Sequence, residues 1–377
     1  MSQTDHDRPV ALFLSYSGNG GVERMMTLLA RGIAERGHPV DLLVIKGHGE
    51  HFAVPAGVRV IHSGARHTWQ AIPFLLCYLR RTPPRALLAA KDRANRVAIL
   101  ARRLAGRGDI PLVIRLGTHL EQSMKGKHPL RLWWRQRQMA RSYRHADRVV
   151  AVSEGVAADT RHLTGLTADR VRVIRNPTLF PEISERAAEP ASHPWLDDPA
   201  LPVIVGIGRL TRQKDFSTLI RAFARLRATH PSRLLIFGEG KDRPQLQALI
   251  SELGLTEWVD LPGFTANPYA ALARARLFVL SSAWEGSPNV LVEAMGLGTP
   301  VVATDCESGP REILAGGRHG PLVPVGDAER LAEAMATVLD QPPPAAQLQQ
   351  AVAEYSLALS TLRYLQALGV ESPDATV

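Results

Sequence analysis

The chain has 377 residues, of which 45% are hydrophobic and 21% are charged, a composition typical of a globular protein too long for one ordinary core. Its net charge of +9 favours an anionic partner, either nucleic acid, an anionic membrane or a phosphorylated substrate. The longest apolar run, residues 71–79, is too short to cross a bilayer, which excludes a transmembrane protein at the level of sequence.

The amino terminus and the cysteines indicate where the protein works. Residues 1–7 lack the basic start and the apolar stretch of a signal peptide. The two cysteines, Cys77 and Cys306, have neither metal-binding nor redox spacing. We therefore expect a reducing, cytoplasmic location.

Strand-like and helix-like segments alternate through the first half of the chain. A buried-strand pattern at 10–15 is followed by a glycine-rich turn and by a helical face with apolar residues from Val22 to Ile33. Further strand patterns lie at 40–45, 112–116, 148–152 and 171–174. This rhythm predicts a parallel sheet with helices on both faces.

A proline-rich interval without periodicity, residues 178–201, is interpreted as an interdomain connection. The alternation then restarts, which predicts an α/β protein of two Rossmann-like, doubly wound domains, 1–177 and 202–345, facing each other across a cleft. Residues 346–377 are expected to form a helical segment that packs back on the first domain. The second-half patterns are strands at 203–207, 233–237, 258–261, 275–280 and 300–303, and helices at 216–226 and 244–253.

Basic residues are concentrated between Lys125 and Arg148, and Trp133, Trp134 and Met139 lie among them. A basic stretch with aromatic residues suits the surface of an anionic membrane. A solvated helix whose Trp residues face the core explains the same pattern equally well. Both interpretations stay open on the sequence.

The most informative segment is 285–293, EGSPNVLVE. Pro288 suits the first helical position and Ser287 can cap the helix, so Glu285 would precede the helix and Glu293 would lie inside it. Amide groups at a helix start bind anions. A carboxylate at each side of such an anion site can hold sugar hydroxyls and ribose hydroxyls, which together predict a nucleotide-sugar site.

A second candidate segment follows the first strand of the second domain. Arg209 and Lys214 lie there on a strand-to-helix loop. Two cations in this place could clamp a diphosphate and neutralise the charge that grows on a leaving nucleoside diphosphate. Taken alone, a solvated basic loop explains them as well, since Arg212 lies between them.

Two features of the first domain are candidates by position. Gly20 and Gly21 lie between a strand and a helix, where they would let the backbone approach a phosphate or a sugar. His119 follows a predicted strand and would lie at the edge of the cleft, within reach of the sugar near its reacting carbon. For a single histidine, a structural or surface role is the commoner one.

Together these segments resemble the retaining glycosyltransferases of the GT-B fold, in family 4 (glycosyl transferases group 1). The resemblance covers nearly the whole chain and is most specific in the second half. The matching segments are 20–23 (GGVE), 150–153 (VAVS), 208–214 (GRLTRQK), 285–304 and the late glycine-rich turn at 316–324.

The resemblance implies roles for the charged residues of the second domain. Glu293 would bind the ribose hydroxyls and Glu285 would meet the transferred sugar. Arg209 and Lys214 would hold the diphosphate. Residues 287–289 (SPN) depart from the more usual Phe-Gly-Leu type, which affects local contacts rather than the anion-binding helix start.

The resemblance also implies contacts from neighbouring segments. The backbone amides near Asn289 and Val290 would help to hold the diphosphate. Gly263 and Phe264 would lie beside the base. His119 matches the active-site histidine of the family by position.

The implied activity is that of a hexosyltransferase-type enzyme (EC 2.4) that uses a nucleotide-sugar, with a UDP-sugar suggested by the segment 304–312. The acceptor would be a glycan or lipid-linked glycan in the biosynthesis of cell-surface polysaccharide or lipopolysaccharide. The acceptor hydroxyl would attack the face that the diphosphate leaves. No Asp-x-Asp motif occurs in a metal-binding context, so protein groups would replace a metal, and no cofactor is expected.

Other functions are compatible with this architecture. A nucleotide-sugar epimerase would interconvert free donor, and a phosphorylase would show a pyridoxal-lysine or phosphate-site signature that the sequence lacks. A basic scaffold with an inactive transferase fold, bound to a membrane edge or to nucleic acid, is the non-enzymatic alternative. The intact glutamates, Arg209 and Lys214 favour the enzyme, located in the cytoplasm or on the inner face of the membrane, and no nucleic-acid partner is expected.

Overall fold

A computed structural model describes residues 7–15, 20–45, 54–118 and 129–377 of the chain. The chain forms two compact units. Unit 1 combines Met1–Thr178 with Tyr355–Val377, and unit 2 is Leu179–Glu354. Each unit is built on one parallel sheet, as the alternation of strand and helix patterns predicts.

Within the described residues, the sheet of unit 1 has seven strands: β1 (Val10–Ser15), β2 (Val40–Ile45), β3 (Val58–His62), β4 (Ala86–Ala90), β5 (Leu112–Leu116), β6 (Arg148–Ala151) and β7 (Val171–Val173). Their order is β3-β2-β1-β4-β5-β6-β7, and all neighbours are parallel. Successive side chains of β1 enter different cores: Phe13 packs in one and Leu12 in the other. A strand buried on both faces needs a continuous apolar run, which the segment VALFL supplies.

The helices between these strands are α1 (Gly21–Glu35), α2 (Ile72–Arg81), α3 (Asp92–Ala105), α4 (Pro129–Tyr143) and α5 (Glu154–Thr164). Local signals set their ends. The Ser153 hydroxyl accepts a hydrogen bond from the Val156 amide at 3.3 Å and so caps α5. Gly106 ends α3 with a positive φ of 69°, a backbone conformation that glycine adopts without a Cβ clash.

In unit 2 the sheet has six strands: β8 (Val203–Ile207), β9 (Arg233–Phe237), β10 (Val259–Gly263), β11 (Leu277–Leu280), β12 (Val301–Thr304) and β13 (Leu322–Val323). Their order is β10-β9-β8-β11-β12-β13, again with parallel neighbours. The strand order therefore reverses its direction at β8, with β9 on one side and β11 on the other.

Eight helices belong to unit 2: α6 (Ile183–Ala188), α7 (Phe216–Leu226), α8 (Arg243–Glu252), α9 (Pro268–Arg274), α10 (Asn289–Gly296), α11 (Pro310–Ile313), α12 (Ala328–Asp340) and α13 (Ala345–Ala351). One core is formed mainly by α7, α8 and α12 against the sheet. Phe216, Phe223 and Met335 are among its fully or almost fully buried members.

The interval 178–201, interpreted from the sequence as a connection without regular structure, differs from that description. It contains α6, whose Ile183 and Ala187 are buried, and α6 packs against α9 within unit 2. Six residues are too few to show a helical period clearly, and the surrounding prolines hid the helix. The chain passes between the units at 178–179 and again at 354–355.

After unit 2 the chain returns to unit 1 as α14 (Leu357–Leu368), which packs against α1. The contact is close because Gly32 on α1 has no side chain: a Cβ there would lie 2.2 Å from the Thr361 hydroxyl. Tyr364 and Leu365 of α14 are completely buried in the core that covers one face of the sheet. Across the described residues, no helix is both long enough and apolar enough to cross a bilayer.

Candidate active site

The candidate site lies in unit 2, where the strand order reverses. Because β8 and β11 are parallel neighbours, their carboxyl ends lie at the same edge of the sheet. The β8–α7 loop and the β11–α10 loop therefore start side by side. Crevices at such a switch point bind ligands in open α/β sheets.

An ion pair joins the two loops. The Lys214 ammonium donates to Glu285 Oε1 at 2.6 Å, and the Ser282 hydroxyl donates to the same oxygen at 2.7 Å. The side chains of Lys214 and Glu285 are only 15% and 9% exposed. Glu285 Oε2 has no hydrogen bond to any described residue. The pair thus presents one free carboxylate oxygen and the remaining N–H groups of Lys214.

Backbone and amide contacts hold the two loops together around this pair. The Ala283 amide donates to the Gln213 carbonyl at 2.8 Å, and the Ser281 hydroxyl donates to the Lys214 carbonyl at 2.8 Å. The Gln213 side chain donates to the Trp284 carbonyl at 3.1 Å. With this many contacts, the position of Lys214 is fixed by the fold before any ligand binds.

Asp215 turns the chain from the loop into α7. It has a positive φ of 45°, which is uncommon for a residue with a side chain. Its carboxylate accepts from the Thr218 amide at 3.4 Å and so caps α7, and it also accepts from the Ser217 hydroxyl at 2.8 Å and the Thr218 hydroxyl at 2.7 Å. These bonds offset the backbone strain next to Lys214.

Two glycines allow the loops after β8 and β9 to approach. A Cβ on Gly208 would lie 2.9 Å from the Lys214 side chain, which lies across it. A Cβ on Gly238, whose φ is 139°, would lie 1.9 Å from the Gly208 carbonyl oxygen. The sequence needs glycine at both positions because backbone and lysine stem occupy the space of a side chain.

Arg209 and Lys214 lie on the same loop, as predicted. The Arg209 side chain is exposed and donates to Gln213 Oε1 at 3.4 Å. Since Gln213 also contacts the β11–α10 loop, Arg209 is connected to both sides of the candidate site. Arg209 therefore supplies an exposed cation next to the partly buried Lys214.

The helix after Glu285 begins one residue later than the sequence suggested. The first helical residue is Asn289, and Pro288 occupies the cap position. The prediction that Ser287 caps the helix is wrong: its hydroxyl is buried and has no hydrogen-bond partner among the described residues. The reason is that the Leu291 amide bonds to the Pro288 carbonyl at 3.0 Å, so the helix starts from a residue without a side-chain acceptor.

The start of α10 still offers a backbone N–H group. Val290 precedes the first amide that bonds within the helix, Leu291, so no carbonyl of the helix satisfies the Val290 N–H. Glu293 lies one turn further along on the same face as Asn289 and is 6% exposed. Segment 285–293 thus has the order anticipated from the sequence: a carboxylate, a helix start, then a buried carboxylate.

Gly263 and Phe264 lie further along the edge of the sheet. Gly263 ends β10, which β9 separates from β8. Its φ is 93°, and the Phe264 ring is 58% exposed. No hydrogen bond joins either of these two described residues to Lys214 or Glu285, so a ligand that touches both places must extend across the end of β9.

Cys306 follows β12 and is buried close to the ion pair. Burial raises the pKa of the Cys306 thiol to about 12, and the negative charge of Glu285 adds to this effect. The thiol is therefore neutral near pH 7. A buried neutral thiol of this kind suits packing rather than nucleophilic attack.

Unit 1 has a corresponding ion pair that the sequence analysis missed. Lys91, directly after β4, donates to Glu23 Oε1 on α1 at 2.6 Å, and Glu23 is 3% exposed. The pair lies at the point where the order of the first sheet reverses, between β1 and β4. Gly20 and Gly21 begin α1 at the same place, and a Cβ on Gly20 would lie 2.5 Å from the Glu23 carboxylate.

A signal for this pair was present in the sequence. Glu23 is the last residue of the GGVE segment, and Lys91 directly follows the run ALLAA that forms β4. The run was not assigned as a strand because three of its five residues are alanine, which has a low strand propensity. Lys91 also has a positive φ of 77°, a feature that only the backbone reveals.

Two other predictions concern the region around α4. His119 and the residues from Lys125 to 128 lie outside the described residues, so the position of His119 stays a prediction. Trp133 and Trp134 are 50% and 56% exposed, while Met139 is buried. The Arg137 guanidinium lies 5.2 Å from the centre of the Trp133 ring. The interpretation in which both Trp residues face the core is therefore wrong.

Two family models match the chain. The model described as Glycosyltransferase Family 4 matches residues 19–178. The model described as Glycosyl transferases group 1 matches residues 189–355, which include both loops of the candidate site. Together they cover most of both units.

Curated relatives include glycosyltransferases from three organisms. The chain is 47% identical to an uncharacterized glycosyltransferase of Methanocaldococcus jannaschii, in a match that covers 30% of this chain and 28% of the relative. It is 34% identical, over 52% of each chain, to the N-acetylgalactosamine-N,N'-diacetylbacillosaminyl-diphospho-undecaprenol 4-alpha-N-acetylgalactosaminyltransferase of Campylobacter jejuni. It is 29% identical to the lipopolysaccharide core biosynthesis glycosyltransferase LpsE of Rhizobium meliloti, over 86% of this chain and 87% of LpsE. The matched part spans about half or less of the first two relatives.

Solved structures show the same fold. HepE of Anabaena, in complex with UDP and glucose, superposes with a TM-score of 0.76 at 21% identity. The superposition covers 96% of this chain and 100% of HepE. The two Rossmann-like units are therefore those of the GT-B architecture.

Proposed function

This chain belongs to the family 4, group 1 glycosyltransferases, and we propose that it moves a sugar, with retention of configuration, from a UDP-sugar to a glycan or lipid-linked glycan. The observation that carries the proposal is the Lys214–Glu285 pair at the point where the strand order of unit 2 reverses. The proposed enzyme is a hexosyltransferase. It works without a metal and takes part in the biosynthesis of cell-surface polysaccharide or lipopolysaccharide.

In this proposal the two residues of the ion pair contact different parts of the donor: Lys214 contacts the diphosphate and Glu285 contacts the transferred sugar. Lys214 has N–H groups left for the diphosphate after its bond to Glu285. Glu285 Oε2 is available for a hydroxyl of the transferred sugar. Glu293 would hold the ribose, and Phe264 would cover the base. The UDP complex of HepE supports the choice of UDP as the first nucleotide to test.

The proposed chemistry needs the leaving group to be stabilised more strongly than the bound donor. As the bond between the anomeric carbon and the diphosphate breaks, negative charge grows on the diphosphate. Lys214, Arg209 and the amides at the start of α10 are already in place to hold that charge. The acceptor hydroxyl attacks the face that the diphosphate leaves, and a departing phosphate oxygen takes its proton, so no protein nucleophile is needed.

The proposed acceptor follows from the relatives. The Campylobacter relative is named for an acceptor that is a diphospho-undecaprenol, and LpsE is named for lipopolysaccharide core biosynthesis. An acceptor with phosphate also suits a chain with a net charge of +9. Mixing purified protein with UDP-glucose and a lipid-linked or core oligosaccharide acceptor would test this by the release of UDP.

Nucleotide binding can be tested by thermal stabilisation with UDP, GDP and ADP. We expect UDP at a hundred times its Kd to stabilise the protein by about 2.7 kcal/mol, because it binds only the folded state. Glu293→Ala and Arg209→Ala should reduce this effect strongly, since each removes a proposed contact. Differential scanning calorimetry at several UDP concentrations measures it.

Matched variants distinguish loss of a contact from loss of charge. Glu252→Ala and Arg221→Ala remove the same charges from exposed positions in unit 2 and should keep the full UDP effect. If no nucleotide stabilises the protein, or if Glu293→Ala and Arg209→Ala respond like the controls, the donor site proposed here is incorrect.

We expect transfer without a metal because, in this proposal, Arg209 and Lys214 hold the diphosphate in place of a metal ion. Transfer activity should be unchanged by EDTA after extensive dialysis against the chelator. The measurement is UDP release at saturating substrates, with and without EDTA. Loss of activity that Mg²⁺ or Mn²⁺ restores would refute this part of the proposal.

We also propose that α4 contacts an anionic membrane surface. Its exposed Trp133 and Trp134 can enter the interface while the exposed Arg137 and Arg141 meet lipid phosphates. Co-sedimentation with phosphatidylcholine vesicles that contain phosphatidylglycerol should fall in Trp133→Ala/Trp134→Ala. Trp69→Ala is the control, since Trp69 is 67% exposed elsewhere in unit 1. Equal sedimentation of wild type and double variant would argue against membrane contact through α4.

A further inference from the structure

A basic cavity of about 780 Å³ lies in unit 1, at the edge of the sheet formed by the amino ends of β5, β6 and β7. This edge is opposite to the one where Gly20 and the Glu23–Lys91 pair lie, because all strands are parallel. The proposed function makes no use of it. The side chains that give it positive charge are those of Arg102, Arg103, Arg107, Arg144 and Arg170, and Asp147 and His145 also line it.

Some of these arginines have structural roles. Arg102 pairs with Asp147 and donates to the Ile110 and His145 carbonyls at 2.8 and 2.6 Å. Arg107 pairs with Asp109 at 2.6 Å. Arg170 donates to the Asp147 carbonyl at 3.0 Å and to other carbonyls after α4. Such bonds satisfy backbone carbonyls of the segments that follow α3 and α4.

The remaining cations have no such explanation. The side chains of Arg103 and Arg144 make no hydrogen bond or ion pair with any described residue, and the Arg170 side chain bonds to carbonyls but pairs with no described carboxylate. Three guanidinium groups around one cavity thus lack a paired carboxylate among the described residues, and only the charge of Arg170 acts on a neighbouring one, Asp169. Like charges at close range repel each other, and the repulsion is relieved when an anion enters between them.

His145 reports this positive potential. Burial lowers the pKa of its imidazole, and the charges of Arg103, Arg144 and Arg102 lower it further. Its ring makes no hydrogen bond to the described residues. An anion bound in the cavity would reverse the electrostatic part of this effect and raise the pKa.

We propose that this cavity, the arginine pocket, is a binding site for a phosphorylated ligand with at least two negative charges. The guanidinium fork matches the geometry of phosphate oxygens, and Arg102 and Arg170 are held in place by carbonyls before a ligand arrives. The cavity exceeds the size of one phosphate and falls in the usual range for small-molecule sites. A diphosphate or two phosphate monoesters on one molecule therefore fit best.

The test uses sodium pyrophosphate and the full-length protein, with chloride added to keep ionic strength constant. Isothermal titration calorimetry compares wild type with Arg103→Ala/Arg144→Ala, which should fold normally because neither side chain has a partner to lose. We expect the pocket variant to bind pyrophosphate at least about tenfold more weakly at this site, as the loss of charge-assisted bonds predicts. Arg221→Ala/Arg225→Ala removes the same charge from the exposed side of α7 and should bind like wild type.

Pyrophosphate can also enter the donor site, so a further variant separates the two. Arg209→Ala/Lys214→Ala should lose UDP binding but keep the pyrophosphate binding that depends on Arg103 and Arg144. Failure of the proposed donor site and failure of the arginine pocket therefore give different results. In a parallel experiment, an NMR pH titration follows the imidazole signal of His145, which is assigned by its absence from the spectrum of His145→Gln. Pyrophosphate should raise the pKa of His145 measured in this way.

Vesicles distinguish a soluble ligand from a lipid. Because α4 is also proposed to bind anionic vesicles, this comparison is made in the Trp133→Ala/Trp134→Ala protein. Binding of that protein to phosphatidylcholine vesicles that contain phosphatidic acid, lost when Arg103→Ala/Arg144→Ala is added, would identify a lipid phosphate as the source. Pocket-dependent binding of pyrophosphate alone would identify a soluble one. The inference is overturned if Arg103→Ala/Arg144→Ala binds pyrophosphate and the vesicles as wild type does. It is also overturned if the Arg221→Ala/Arg225→Ala control loses as much affinity for pyrophosphate as the pocket variant does.

Discussion

A Lys214→Ala variant is expected to lose transfer activity by about 100- to 1000-fold in kcat, the usual effect of removing one preorganised group that holds developing charge. The variant loses more than a charge, because Glu285 is 9% exposed and would keep only its bond from Ser282. Breaking a buried pair on one side typically destabilises a protein by about 3 kcal/mol or more. UDP-release kinetics and urea unfolding measure the two effects separately.

The matched control is Lys241→Ala, which removes an exposed lysine from the loop after β9 in the same unit. It should keep nearly full activity and stability. A second single variant, Glu285→Gln, keeps an acceptor for Lys214. It should retain most of the wild-type stability but lose transfer activity. Unchanged kcat in Lys214→Ala would remove this residue from the proposed mechanism.

Replacing Gly238 with alanine should destabilise unit 2 by about 3 kcal/mol or more, because the new methyl group meets backbone rather than a side chain that can move. Its Cβ would lie 1.9 Å from the Gly208 carbonyl oxygen, and the φ of 139° is unfavourable for any residue with a side chain. Relief requires the β8–α7 loop to shift, which would displace Lys214 from Glu285. We therefore expect weaker UDP binding as well as a lower urea midpoint.

Gly108→Ala is the control for this change, since a Cβ there has no atom within 4 Å and the backbone φ is not positive. Its stability should stay within about 0.5 kcal/mol of wild type, as for most surface substitutions. A Gly238→Ala protein with wild-type stability and UDP affinity would show that the two loops can separate freely.

Many of the elements could be predicted from the sequence because the inner strands are buried on both faces. The runs VALFLS, VDLLVI and VIVGI have no polar interruption that would blur their ends, apart from Asp41. Asp41 fits inside a strand because its carboxylate bonds to Arg59 and to the Tyr78 hydroxyl at 2.6 Å. In contrast, β3 was missed because it lies at the edge and is only partly buried, and β4 because of its alanines.

For the candidate site, the sequence predicted which residues lie on the two loops and at the start of α10 better than how they meet. Arg209 and Lys214 are predicted from residue type and from their place after a strand, and Glu285 and Glu293 from their places before and inside a helix start. The bond between Lys214 and Glu285 was not foreseen, since it joins loops separated by 71 positions whose strands become neighbours only in the folded sheet. Sequence periodicity carries no information about which strands pair, and so the corresponding pair in unit 1 was missed too.

The return of the chain to unit 1 through α14 has a consequence for its synthesis on the ribosome. Unit 2 is one uninterrupted segment and can fold as soon as it emerges. Unit 1 must wait, because Tyr364, Leu365 and Leu368 complete one of its cores. At ordinary translation rates the whole of unit 2 is made in between, which takes on the order of ten seconds or more. During that interval the nascent protein exposes an apolar face along α1, to which a chaperone can bind.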